Sequence, residues 1–222
     1  AQSVGSITEA QDRLAGGIRV NTSRLAAHYF IEPHLGEFAG RFPEVRLDLV
    51  IDDGLGDIVG EGCDAGIRLR ESVAESMVAI PISSPMRLAV VGSPHYFARC
   101  RIPKTPADLD EHNCVGFRPS TGRNLYRWEF TDPIDGREFS VEPRGSLVTA
   151  SDDMMISAAL QGVGLVMHME LAVQPYVASG ALVRVLDRWC TLFDGFYLYL
   201  PSREQMPRKL RAFVDFLVEK RT

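Results

Sequence analysis

Two runs decide the fold: Ile18-Arg-Val-Asn-Thr-Ser-Arg-Leu25 and Val45-Arg-Leu-Asp-Leu-Val-Ile51. In the first, Ile18 to Val20 reads as a short apolar strand. Asn21, Thr22 and Ser23 follow it, and all three are residue types that cap a helix N-terminus. Leu25, Tyr29, Phe30, Leu35, Phe38 and Phe42 then suit one helix face, interrupted at Pro33 and ended by Pro43. In the second run Val45, Leu47, Leu49 and Ile51 alternate with Arg46 and Asp48, which is the period of a strand.

Working outward, residues 53–62 read as a turn and short helix, Cys63 to Leu69 as a strand, and Met77 to Val91 as a long extended stretch. Strand, helix, strand, helix, strand predicts a parallel sheet with covering helices. A second part begins near Ser93. Thr105-Pro-Ala-Asp108 has a capping Thr, a Pro at the first helical position and an acid in the first turn. Cys114 to Phe117 reads as a strand. Trp128 to Thr131 and Arg137 to Val141 flank the turn-rich Asp132-Pro-Ile-Asp-Gly136 as a hairpin. Ser151 caps a helix through Leu160, closed by Gly162. Strand, helix and strand follow at Leu165–His168, Met169–Ala178 and Leu182–Val185. The first pattern then returns, with a strand at Phe196–Leu200 and a last amphipathic helix carrying Leu210, Phe213, Val214 and Leu217.

A length of 222 residues suits one large domain or two lobes of about 100 residues each. With 45% hydrophobic and 24% charged residues the composition is that of an ordered globular chain. No apolar run approaches the roughly 20 residues of a membrane helix. Lys and Arg number 24 against 29 Asp and Glu, a net charge of −5 without a basic cluster, so this stretch of chain is a poor nucleic-acid binder. Cys63, Cys100, Cys114 and Cys190 are widely and irregularly spaced, which fits neither a zinc pattern nor a disulfide framework and suits a reducing, cytoplasmic setting. Ile7 to Leu14 reads as a short polar helix, either the tail of a longer helix or a leader.

The search for chemistry is mostly negative. Nucleophile-elbow, zinc-protease and phosphate-loop motifs are missing. Gly54, Gly56, Gly60 and Gly62 lack dinucleotide spacing and sit beside Asp52, Asp53 and Asp57, so a turn is the simpler reading. The five histidines show no helical pairing, and neither a metal nor a cofactor is expected. Asp108, Asp110, Glu111 and His112 read as a solvated helix end, and the basic residues of the last helix as an exposed face. What remains is two helix starts, at Asn21-Thr22-Ser23 and at Ser151-Asp152. In open α/β sheets ligands bind at the carboxyl ends of strands, where such helix starts also point. The same residues are also plain caps.

Seven stretches, in order, go beyond pattern. They are Phe42-Pro-Glu-Val-Arg-Leu47, Asp57-Ile-Val-Gly-Glu-Gly-Cys-Asp-Ala-Gly-Ile-Arg-Leu-Arg70 and Gly92-Ser-Pro-His-Tyr-Phe97. Thr105-Pro-Ala-Asp-Leu-Asp-Glu-His-Asn-Cys114, Gly162-Val-Gly-Leu165, Gly180-Ala-Leu-Val-Arg-Val-Leu186 and Leu210-Arg-Ala-Phe-Val-Asp-Phe-Leu217 complete the set. Together they resemble the effector-binding domain of LysR-type transcriptional regulators, from Gly17 to the C-terminus.

The resemblance implies an α/β fold of two Rossmann-like lobes joined by two crossover strands, as in type 2 periplasmic binding proteins, with a ligand cleft between the lobes. The lobes would be residues 17–91 with 196–222, and residues 92–195, with residues 1–16 as the end of a linker helix. It implies a winged helix-turn-helix domain ahead of this stretch, through which alone the protein would meet DNA. It also implies a cytoplasmic regulator without catalytic activity, a dimer as this domain and a tetramer at full length, its dimer contact made by strand and helix edges of the first lobe.

Carried onto this chain, the effector contacts are Asn21, Thr22 and Ser23, then Asp52, then Arg68 and Arg70 in the first lobe. In the second lobe they are Phe117, Arg118, Thr121, Ser151 and Asp152. The three arginines can pair with the carboxylate of an organic or aromatic acid. Asp52, Asp53 and Asp152 oppose a purely anionic effector. Phe117 and Tyr126 can stack on a ring, though a core role is the simpler one. Two other readings stand beside this one: an exported solute-binding protein of the same fold, and an enzyme on the same scaffold, which would need an acid–base constellation that the sequence does not display.

Overall fold

Ile18 and Val20 are wholly buried and drive the first strand into the middle of a sheet. In the computed structural model, which describes residues 14–53, 62–72, 77–119, 124–201 and 206–221, this strand is β1, Gly16–Thr22. Most of the segment expected as a linker helix, the turn at 54–61 and Thr121 lie outside the described residues. Ser23 caps the next helix, its Oγ accepting from the Ala26 N–H. That helix is less regular than its apolar face suggests. A three-residue α1 (Arg24–Ala26) widens into a π turn at Ala27–Ile31, tightens into a 3-10 turn at Glu32–His34 around Pro33, and resumes as α2 (Leu35–Arg41). Pro33 has no N–H to give, so the backbone changes pitch there.

The chain continues through β2 (Val45–Ile51), β3 (Ala65–Leu69) and β4 (Val78–Pro81). The extended stretch from Met77 is two strands, because residues 82–85 leave the ladder before β5 (Met86–Gly92). Next come α3 (Pro94–Phe97), a 3-10 turn at Pro106–Glu111, β6 (Gly116–Phe117), the hairpin β7 (Trp128–Thr131) and β8 (Glu138–Val141), and β9 (Val148–Thr149). Helix α4 (Asp152–Leu160), β10 (Val166–Met169), α5 (Glu170–Ala178), β11 (Val183–Val185) and β12 (Leu192–Phe193) follow. The chain ends with β13 (Phe196–Leu200) and α6 (Arg208–Glu219).

Two compact units result, residues 1–85 with 194–222 and residues 86–193. The first holds a five-stranded sheet in the order β2-β1-β3-β13-β4. Its first three strands are parallel, as the alternation of strand and helix predicts. The sheet as a whole is mixed, since β13 runs antiparallel to both β3 and β4. Gly66 in β3 is required by close approach: a Cβ there would lie 2.3 Å from the ring of Tyr199 on the neighbouring β13. Helix α6 buries Leu210, Phe213, Val214, Phe216 and Leu217, and Phe38 of α2 stacks edge-on against Phe213 and Phe216. Arg41–Glu219 and Lys220–Glu37 ion pairs tie the exposed ends of α2 and α6. The last helix's basic face is thus partly an intramolecular clamp.

The second unit is built around β5, which pairs antiparallel with β10 and β11 and, at its start, with β12. Its core gathers Val90, Tyr96, Leu109, Cys114, Trp128, Phe130, Leu165 and Met167, with Tyr126 packed against it. Tyr126 therefore takes the core role. The acidic cluster at 108–112 divides. Asp108 closes a capping box by accepting from the N–H groups of Lys104 and Thr105, and those bonds hold its carboxyl below the usual range. His112, expected in a solvated helix end, is instead buried against the Tyr96 hydroxyl at 2.9 Å, and burial lowers its pKa. All four cysteines are free thiols. Burial pushes Cys114 up to about 12 and Cys190 up to about 11, so both stay protonated and inert near neutrality.

Candidate functional site

In the first unit three parallel strands end at one edge of the sheet. Their register sets Thr22 opposite both Ile51 and Ile67, so the residues that follow converge. Asn21 and Thr22 are fully buried, and the Thr22 hydroxyl donates to the Ser23 carbonyl at 3.2 Å. Ser23 is half-buried and its Oγ is used as the helix cap. Asp52 is exposed and its N–H donates to the Thr22 carbonyl. Asp53 accepts from the N–H of Arg24, which fixes it at the helix start.

Arg68 behaves differently from a surface arginine. It is 4% exposed, and its guanidinium donates to Asn21 Oδ1, to the Asp52 carbonyl at 2.8 Å and to the Ile67 carbonyl at 2.8 Å. One cation thus ties the ends of β1, β2 and β3. A buried guanidinium needs most of its donors used, and here two backbone carbonyls and an amide oxygen take three of its hydrogen bonds. Arg70 stands in the 3-10 turn after β3, half-buried, with its guanidinium 5.7 Å from the centre of the Tyr197 ring.

The second unit brings a different set together. The short parallel pair β6–β9 sets Phe117 opposite Thr149, and the Arg118 N–H donates to the Thr149 carbonyl at 2.9 Å. Thr149 Oγ1 accepts from the Ser151 N–H at 3.0 Å, and Ser151 Oγ caps α4 by accepting from Met154. Phe117, Arg118 and Ser151 therefore all meet Thr149, and Asp152 follows Ser151 into the helix. Phe117 is half-buried, and Arg118 is exposed with no ion pair among the described residues.

The residue that sequence reasoning missed is His168. Its Nε2 lies 3.0 Å from Asp152 Oδ1, and the two side chains are 3% and 19% exposed. Asp152 sits in the first turn of a nine-residue helix, where the helix dipole favours its charge. A signal existed: His168 interrupts the otherwise apolar run Leu165-Val-Met-His-Met169. Among the described residues no group of three His, Cys, Asp or Glu side chains could hold a metal ion, and no helix is long and apolar enough to cross a membrane.

The family described as LysR substrate binding domain matches residues 11–222. The chain belongs to the LysR-type transcriptional regulators. It is similar to the HTH-type transcriptional regulator PgrR of Escherichia coli K12, 33% identical over 214 residues that make up 96% of this chain and 71% of PgrR. YcaN, an HTH-type transcriptional regulator of the same organism, is 35% identical over 91% of this chain and 65% of its own length. This chain thus spans about two thirds of either relative. Among solved structures, the regulatory domain of the LysR-type regulator CrgA from Neisseria meningitidis superposes with a TM-score of 0.77 at 25% identity, covering 94% of this chain and all of that one. The full-length Vibrio cholerae virulence activator AphB does so with 0.80 at 22% identity, covering 97% of this chain and 73% of AphB. The two α/β units are accordingly those of a LysR-type regulatory domain, and the polar strand ends described above are its candidate effector contacts.

Proposed function

We propose that this chain is the sensing part of a cytoplasmic LysR-type regulator. It would take up a small organic molecule through the polar strand ends of its first unit and the Arg118–Ser151–Asp152 group of its second. Binding, not turnover, is the proposed role, and transcriptional regulators among the relatives favour it over solute capture outside the cell. The bound molecule would shift the full-length protein, a dimer or tetramer, between two states that differ on DNA. The extent of the shift is limited by the ligand's differential affinity for those states. DNA contact would fall to a separate helix-turn-helix segment, which suits the acidic balance of this stretch.

The observation that carries this reading is the convergence of Thr22, Asp52 and Arg68 at one carboxyl edge of three parallel strands, the edge at which open α/β sheets bind ligands. Within that group we propose Ser23, Asp52 and Arg70 as contacts and the buried Arg68 as their brace. A thermal-shift screen of organic acids, aromatic acids and amino acids tests it. A hit should raise the melting temperature, and Ser23→Ala and Arg118→Ala should each weaken it about tenfold. A hit whose affinity neither substitution alters sinks the site assignment.

A further inference from the structure

We propose that the second unit selects an effector bearing a carboxylate next to an ammonium group, the head group of an α-amino acid, and that His168 is the positioning residue that sets this preference. The inference rests on the effector-binding reading above and assigns the chemistry of that same site. His168 is buried on β10 with Nε2 against Asp152 Oδ1, while its Nδ1 is buried without a hydrogen-bond partner among the described residues. A proton on Nδ1 would be buried and unpaired, whereas one on Nε2 is shared with the carboxylate. Nε2–H therefore donates to Oδ1. The carboxylate is held in one orientation, and Oδ2, which has no partner among the described residues, is left as a fixed acceptor.

Arg118 supplies the opposite charge. It and Ser151 both bond to Thr149, yet Arg118 and Asp152 form no ion pair with each other. A cation just after β6 and an anion at the start of α4, leaving the same end of the parallel β6–β9 pair without an ion pair between them, suit a ligand carrying both charges. A simple carboxylate would satisfy Arg118 and be repelled by Asp152. A zwitterion satisfies both, with two charge-assisted hydrogen bonds. Met154, 52% exposed on the first turn of α4, and the half-buried Phe117 offer apolar surface to the rest of the molecule.

The test is calorimetric titration of this chain with the common L-α-amino acids, each beside the acid that lacks only the ammonium: leucine with 4-methylpentanoate, phenylalanine with 3-phenylpropanoate. At least one amino acid should bind about tenfold or more tightly than its deaminated partner. Asp152→Asn should abolish that preference. His168→Leu should reduce it, and His168→Gln, which keeps an amide N–H to give, should restore it. Equal changes for both ligands in His168→Leu and His168→Gln would mean a merely structural histidine and overturn the proposal. If His168→Leu does not fold, Asp152→Asn decides alone. Deaminated acids that bind through Arg118 as well as the amino acids do also overturn it, while leaving the effector site standing, and so does the absence of any amino-acid binding. Amino-acid binding indifferent to both Arg118→Ala and Ser151→Ala would sink the underlying site instead.

Discussion

The two units treat the same local motif, a polar strand end running into a capped helix, with opposite uses of charge. In the first, the arginine at the strand end is buried and spends its donors on the molecule itself, tying three strands at Asn21, Asp52 and Ile67. In the second, the arginine is exposed with no ion pair among the described residues, and the buried partner is a histidine set against a carboxylate. One sequence pattern thus yields a brace in one place and a proposed contact in the other. Burial separates them, and residue type alone does not.

Arg68 separates the two units most strongly. Arg68→Ala removes a buried cation and the three hydrogen bonds it gives to Asn21 and to the Asp52 and Ile67 carbonyls. The expected loss is about 3–5 kcal/mol of unfolding free energy in urea titration, since a hydrogen bond from a charged group contributes roughly 1.5–3 kcal/mol and three are lost. A loss under about 1 kcal/mol would mean the strand ends hold together without it, and Arg68 would return as a candidate effector contact.

Next in size is an asymmetry within the second unit. Asp152→Ala leaves Nε2 of the buried His168 unpaired, at a cost of about 1–3 kcal/mol. His168→Leu leaves only a carboxylate that is 19% exposed and reachable by water, so it should cost less. Denaturant midpoints of the two variants check the order. The reverse order would show that the imidazole packs for its volume and that the bond to Asp152 matters little.

The two helix caps differ in the same way. Ser151 caps nine regular helical residues, whereas Ser23 caps three before the chain widens into a π turn. Ser151→Ala should cost about 1 kcal/mol, and Ser23→Ala less, since fewer helical residues depend on it. Equal costs in the same urea experiment would show that the π turn propagates the cap as well as a regular helix does.

How far the sequence reveals this arrangement follows from what each residue can announce. Val45–Ile51 and Phe196–Leu200 are legible to the residue because their apolar patterns and flanking breakers agree. Strands β9 and β12, at two residues each, carry no period to read; pairing with β6 and β5 creates them. Pro33 announces an interruption but not its form. The direction of β13 is equally invisible, because parallel and antiparallel partners share one alternation. The helix starts at Ser23 and Ser151 are legible as caps. The commitment of Arg68 is not, since a strand-end arginine reads the same whether it faces solvent or three carbonyl and amide oxygens. His168 is the intermediate case. A histidine in an apolar strand signals a buried partner, but sequence does not say that the partner is Asp152, sixteen residues earlier.

The smallest expected effect on stability falls at Arg118, and it is the most informative one. Arg118 is exposed and without an ion pair among the described residues, so Arg118→Ala should change unfolding free energy by less than about 0.5 kcal/mol. Arg68→Ala and Arg118→Ala would then differ several-fold in stability while deleting the same guanidinium. A side chain that contributes nothing to the fold yet leaves the same strand pair as a helix start is one whose free energy is available to a ligand. If Arg118→Ala instead destabilises the unit as Arg68→Ala does, the guanidinium has a structural partner, and the contrast between brace and contact fails at the residue on which it most depends.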